Sequence, residues 1–105
     1  MAKKESQIQK GVINWLLYHK CFVWRNNTGS YETAAGHYVS YGFKGSPDIV
    51  GMLPNGRFLG VEVKTVIGKQ NKDQKIFEQR VKECGGIYII ARSIDDLERE
   101  IRPLL

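Results

Sequence analysis

Long apolar runs are missing from this chain, and proline, cysteine and histidine are scarce: three, two and two in 105 residues. No stretch approaches the ~20 apolar residues that span a bilayer, and the N-terminal residues lack the apolar core of a signal peptide. The expectation is a cytoplasmic protein with no membrane partner. Cys21 and Cys84 form no metal-ligand spacing, and their apolar neighbours predict two buried, reduced thiols. At 105 residues, with 42% hydrophobic and 26% charged side chains, the chain reads as one globular domain over residues 1–105.

Acids are also scarce over most of the length. Between Ser6 and Lys72 there are eight Lys/Arg and only three acids, Glu32, Asp48 and Glu62, whereas seven of the eleven acids lie from Asp73 to Glu100. The net charge of +5 is therefore concentrated in the N-terminal two-thirds. Such a region suits a polyanion, nucleic acid being the commonest.

Residues Lys3 to Lys20 carry a helical period. Glu5, Ile8, Val12, Trp15, Leu16 and His19 fall within an arc of about 100° at 100° per residue, so Glu5 extends the apolar stripe. Phe22 to Arg25 is a short strand. Asn26 to Ser46 follows, rich in Gly, Ser and Tyr, with a possible strand at His37 to Tyr41; connections this long are often functional. Two readings of it stand side by side. Tyr31, Tyr38, Tyr41, His37, Arg25 and Lys44 could touch a sugar-phosphate backbone and stack on bases, or the tyrosines could pack locally.

Asp48 to Leu53 and Phe58 to Thr65 form an antiparallel pair whose register depends on the turn. A two-residue Asn55-Gly56 loop would set Asp48 opposite Val63. A three-residue Pro54-Asn55-Gly56 loop sets it opposite Glu62. Proline favours the second position of a type I turn and glycine the left-handed residue after it, which selects the longer loop. Asp48, Glu62 and Lys64 then share one face, where Gly60 leaves room for a close approach. Ile49, Leu59, Val61 and Val63 share the other, core face. Lys72 to Cys84 is a second helix, with Ile76, Phe77, Val81 and Cys84 inward and Gly85-Gly86 as its stop. Ile87 to Ala91 is a buried strand. Ser93 to Asp96 is a capping box opening a last helix, with Ile94, Leu97 and Ile101 inward and Pro103 beyond it.

Two carboxylates on neighbouring strands offer hard oxygen ligands to Mg²⁺ or Mn²⁺, an ion that activates water and neutralises charge on a phosphodiester. A lysine two residues past the second acid projects on the same face and can stabilise the developing charge or orient the attacking water. Together, Gly45-Ser46-Pro47-Asp48, Glu62-Val63-Lys64 and Gln74-Lys75-Ile76-Phe77, behind a helix bearing Glu5, resemble the VRR-NUC family of the PD-(D/E)XK nuclease superfamily. The resemblance runs from Glu5 to the strand after Gly85-Gly86.

The resemblance implies an α/β fold with a restriction-endonuclease-like αβββαβ core plus a C-terminal helix, a mixed central sheet flanked by helices. It implies that Asp48 and Glu62 bind the metal, with the Val63 carbonyl a further ligand. Lys64 would be the catalytic lysine, Gln74 would position water or phosphate, and Glu5 would hold a water of the metal shell or a second ion. Arg25 and Asn27 would touch DNA, and Lys69, Lys72 and Lys75 would line a phosphate track. Stand-alone members resemble phage enzymes that act as homodimers on branched DNA such as four-way junctions, which would put this one in a host cytoplasm. The alternatives are a nickase or restriction-like nuclease with other substrate choice, and an idle DNA-binding module of the same fold.

Overall fold

The computed structural model describes residues 3–105. The elements are α1 (Glu5–Tyr18), β1 (Phe22–Arg25), β2 (Gly29–Glu32), β3 (Tyr38–Tyr41), β4 (Ile49–Met52), β5 (Phe58–Val63), α2 (Lys72–Glu83), β6 (Ile87–Ala91), α3 (Ile94–Glu100) and a 3₁₀ turn (Arg102–Leu104). β1, β4, β5 and β6 form one sheet in that order. β1 and β5 flank β4 antiparallel, and β6 runs parallel to β5. This is a mixed sheet flanked by helices, and with the β2–β3 hairpin set aside the elements follow the αβββαβ order expected.

The alternation of β5 divides the sheet into two faces. Leu59, Val61 and Val63 point to one side with Ile49, Ile87, Ile89 and Ala91, and there they meet Ile8, Val12 and Leu16 of α1, Leu97 of α3 and Ile101 just past its end. The Trp15 indole of α1 donates to the Glu98 carboxylate of α3 at 2.9 Å, joining the two helices outside the core. The opposite face carries Gly60, Glu62 and Tyr88, and α2 packs there alongside β6.

The β4–β5 turn behaves as its chemistry predicts. Leu53 N–H donates to the Arg57 carbonyl, Gly56 N–H donates to the Leu53 carbonyl, and Gly56 sits at φ +86°, a conformation that glycine alone adopts freely. The loop is thus the three residues Pro54 to Gly56. The pairs Ile49↔Val61 and Gly51↔Leu59 give the register that brings Asp48 opposite Glu62.

Several expectations are corrected. In the segment after β1 the strand expected at His37 to Tyr41 is present as β3, but it pairs with a strand that was not expected, β2, in a hairpin of their own, with Gly29 under the Tyr41 ring. Neither strand alternates in hydropathy, because neither packs on the core, so no period marks them. Of the four α2 residues expected inward, Val81 is buried and Phe77 half-buried, but Ile76 is 48% exposed and Cys84 is exposed. The helix covers only the β6 side of its face, and the rest stays open above Asp48 and Glu62, so its buried stripe is narrow. Cys84 is the C-cap, turned away with the chain, whereas Cys21 is buried as expected. The capping box of α3 is also altered: the Asp96 carboxylate accepts from the Arg92 N–H at 2.8 Å, and the Ser93 side chain makes no capping bond.

Candidate active site

Pairing of β4 with β5 ends at Ile49↔Val61, and the reason is written in the residue before Asp48. Continued by two positions, the register sets Pro47 against Val63. Proline has no N–H to offer the Val63 carbonyl. The partner the Val63 N–H would have had, the Pro47 carbonyl, accepts instead from the Asn26 side-chain amide at 3.0 Å. Val63 N–H turns to the Asp48 side chain and donates to Oδ2 at 2.7 Å. One proline therefore ends the ladder, fixes the Asp48 carboxylate against β5 and leaves the Val63 carbonyl without a ladder donor.

Asn26 completes this arrangement from β1. Its N–H donates to the Asp48 carbonyl at 2.8 Å, and its amide also donates to Ser46 Oγ at 2.6 Å. Ser46 in turn donates to the Phe43 carbonyl. Gly60 supplies the space: a methyl group there would meet the Pro47 ring at 2.8 Å. The close approach expected at Gly60 is made by Pro47, which is itself fully buried.

Glu62 is 3% exposed, the one charged side chain buried among the described residues. Burial is the main force pushing its carboxyl up to about 8, followed by the hydrogen bond and negative charge of Asp48. The Lys64 ammonium and the Tyr88 hydroxyl pull weakly the other way. Tyr88 O–H donates to Glu62 Oε2 at 3.4 Å, and Gln70 Nε2 donates to Tyr88 at 3.4 Å and to Glu78 Oε1 at 3.0 Å. Burial, with the nearby carboxylates, pushes the Tyr88 hydroxyl upward, so it remains a donor.

Lys64 continues the β5–β6 ladder, its N–H donating to the Ala91 carbonyl at 3.1 Å. Being two residues past Glu62, it projects on the same face, and it is half-buried. Among the described residues it has no ion-pair partner.

Asp48, Glu62 and Gln74 line one cleft of about 480 Å³, together with Asn71, Tyr41 and Lys44. Gln74 arrives through a capping box: Asn71 Oδ1 accepts from Gln74 N–H and Gln74 Oε1 accepts from Asn71 N–H, both at 2.9 Å. With its oxygen so engaged, Gln74 has its amide NH₂ left for the cleft. The loop before Asp48 is docked on the same helix turn. Lys44 lies 3.5 Å from Asp73, and the Phe43 and Phe77 rings are 5.5 Å apart.

Other residues implied by the resemblance lie elsewhere. Glu5 is exposed in the first turn of α1, on the side of the apolar stripe but beyond what that stripe packs against. The described residues hold no group of three or more His, Cys, Asp or Glu side chains placed to share an ion, so Glu5 does not join Asp48 and Glu62. Arg25 pairs with Ile49, which puts it on the sheet face opposite to Asp48. Asn27 lies past the strand, its carbonyl against Gly42. Between them Asn26 shares the Asp48 face, and only the β1–β4 register could have told the three apart. Lys69, Lys72 and Lys75 are exposed around the start of α2. Tyr88 had a sequence signal, the one hydroxyl in the apolar run from Ile87 to Ala91.

The donor set suits a hard divalent cation. Two carboxylates, one buried beside the other, and a free carbonyl are oxygen ligands. Mg²⁺ is commonly held by one or two carboxylates, with water and substrate phosphate completing its shell. Burial and the adjacent Asp48 carboxylate disfavour a second negative charge on Glu62, only partly offset by Lys64, and a bound cation would relieve that cost.

A family model, the VRR-NUC domain, matches residues 3–95. No curated protein and no solved structure matches the chain.

Proposed function

The chain belongs to the VRR-NUC family, a nuclease family of the PD-(D/E)XK type, and on that premise we propose that it is a Mg²⁺- or Mn²⁺-dependent DNA endonuclease that selects its substrate by DNA structure. Branched DNA such as a four-way junction is the substrate proposed, cut by a homodimer, since symmetric incision of two strands by one small domain needs two copies. The observation that carries the metal dependence is the Asp48–Glu62 pair: a buried carboxyl beside a second carboxylate, its proton favoured by burial and by that neighbour, where a cation would take the proton's place.

Asp48, Glu62 and the Val63 carbonyl would hold the ion. When bound, such an ion polarises the phosphodiester and lowers the pKa of water. The remaining steps fall to this chain's own groups. Lys64 brings an unpaired positive charge to the face where negative charge develops on phosphorus. Gln74 offers its amide to the water or to a phosphate oxygen, with the α2 N-terminus behind it adding the positive end of a helix dipole. Asn26 and Pro47 hold Asp48 in place, and Tyr88 holds Glu62. Exposed Lys69, Lys72 and Lys75 lie around the same helix start and would follow the phosphates. Lys44 is held by Asp73 at the cleft mouth, where it would meet the strand being cut.

The test is cleavage of labelled four-way junction, flap, nicked duplex and plain duplex with Mg²⁺ or Mn²⁺, beside Asp48→Asn. Metal-dependent cutting abolished by the substitution, strongest on the junction, is the expected result. Equal cutting of all four substrates would overturn structure selectivity. Binding without cutting in both ions would overturn the enzyme.

A further inference from the structure

Arg92 has no part in the chemistry above, yet it is tied to the catalytic lysine by two routes. Ala91, the residue before it, accepts the Lys64 N–H at 3.1 Å. The Arg92 side chain then reaches across to the four residues after Lys64. Its Nη1 donates to the Thr65 and Gly68 carbonyls, each at 2.6 Å, and more distantly to Val66 at 3.4 Å. These are short bonds from a charged donor, the stronger class of hydrogen bond.

The turn they hold has no apolar anchor. Val66 is 75% and Ile67 87% exposed, so burial does not fix the turn. Internally it is closed by the Gly68 N–H on the Thr65 carbonyl at 3.1 Å. What ties it to the sheet, beyond the chain itself, is the guanidinium. Gly68 in turn lies against the lysine: a methyl group on it would come within 3.3 Å of Lys64 Cδ and 3.4 Å of Lys64 Cβ. The Lys64 stem thus rests on a turn whose shape Arg92 sets. Lys64 has no carboxylate partner among the described residues to place its ammonium, so the stem is where placement occurs. Arg92 is itself fixed from behind, its N–H donating to the Asp96 carboxylate.

We propose that Arg92 is a positioning residue for Lys64: its guanidinium anchors the Thr65–Gly68 turn, and the turn holds the lysine stem so that Nζ stands over the Asp48–Glu62 pair. The proposal rests on the nuclease reading for its effect on rate, but not for its effect on Lys64 itself. Both short bonds leave one nitrogen whose two N–H groups are fixed in the guanidinium plane and aimed at separate carbonyls, whereas a lysine in its place offers a point charge on a flexible stem.

The test uses metal-free protein with ¹³C-labelled lysine, and assigns the Lys64 side chain by loss of its signal in Lys64→Arg. In the intact protein the Lys64 ε-methylene protons are expected to be inequivalent. In Arg92→Ala they should merge toward the averaged signal of the exposed lysines, and guanidinium ion at non-denaturing concentration should partly restore them. Arg92→Lys serves the same purpose if the alanine variant does not fold. Single-turnover cutting should fall about 10- to 100-fold, the scale of a misplaced catalytic group, with DNA affinity within about twofold of the intact protein. An unchanged Lys64 spectrum in a folded variant overturns the proposal, as does a rate loss no greater than the loss of folded protein. If the intact protein cuts nothing in either ion, the nuclease reading fails, and the lysine spectrum still decides the role of Arg92.

Discussion

Substituting Glu62 by Gln should stabilise the metal-free protein at alkaline pH and leave it nearly unchanged at pH 5. Burial, reinforced by Asp48, raises the Glu62 carboxyl from an ordinary 4.5 to about 8. A carboxyl raised on folding contributes its full stability below its unfolded pKa and loses it as pH rises through the folded one. The intact protein should therefore weaken by about 1.4 kcal/mol per pH unit between roughly pH 5 and 8, then level off. The whole interval corresponds to on the order of 5 kcal/mol, an upper figure because the proton is shared with Asp48. That is a large part of the roughly 5–15 kcal/mol by which domains are stable. Glutamine has the shape of the protonated acid, can still donate to Asp48 and cannot ionise. Urea unfolding in the presence of a chelator, at intervals from pH 5 to pH 9, reads the difference directly. The two stability curves should coincide at the acid end and diverge toward the alkaline end, the variant above. Parallel curves across the range would refute the reasoning. Millimolar Mg²⁺ or Mn²⁺ should lift the intact protein at pH 8 and leave the variant where it was, since only a ligand of the native state stabilises it.

Binding of the ion displaces the Glu62 proton, so calorimetry in buffers of different ionisation enthalpy should show about one proton released per ion at pH 6.5 and close to none at pH 9.5. Asp48→Asn should abolish cutting with little loss of stability, because the amide oxygen can still accept from the Val63 N–H. Asp48→Ala should abolish cutting too, and cost about 1–3 kcal/mol more in thermal unfolding by leaving that N–H unpaired. Gly45→Ala should destabilise more than Gly56→Ala. Both residues have positive φ, but a methyl at Gly45 meets the Asp73 carbonyl at 2.5 Å whereas one at Gly56 meets nothing within 4 Å. The gap between the two melting temperatures measures how tightly the loop before Asp48 is docked on α2.

What could be read from the sequence was whatever local chemistry decides. Pro54-Asn55-Gly56 is a turn with one favoured geometry, and from it follow the β4–β5 register, the shared face of Asp48, Glu62 and Lys64, and the core set of Ile49, Leu59, Val61 and Val63. What stayed hidden depends on partners distant in sequence. The β1–β4 register decides that Asn26, rather than Arg25 or Asn27, faces Asp48, and no turn joins those strands to announce it. Of the β2–β3 hairpin only the second strand was expected; with exposed tyrosines on both faces it has no alternation to reveal the first strand or their pairing. Glu5 fits the helical arc by angle, but it lies in the first turn, where the stripe has run past what it packs against. Cys84 fits an inward angle as well, and is exposed because the helix covers only part of its face. Arg92 gave no signal at all, since an arginine after a buried strand looks like any charge at a sheet's end.

The Pro47 ring in the hollow above Gly60 ties the two halves of the motif into a single inherited unit. A side chain at position 60 would strike the ring, and a residue other than proline at 47 would regain an N–H with which to extend the ladder and occupy the Val63 carbonyl. Neither position can drift by itself. Grafting Asp48, Glu62 and Lys64 onto another sheet would therefore transfer the two acids and the lysine without the means of ending the strand between them. The smallest portable version of this site carries Pro47 and Gly60 along with the three charged residues.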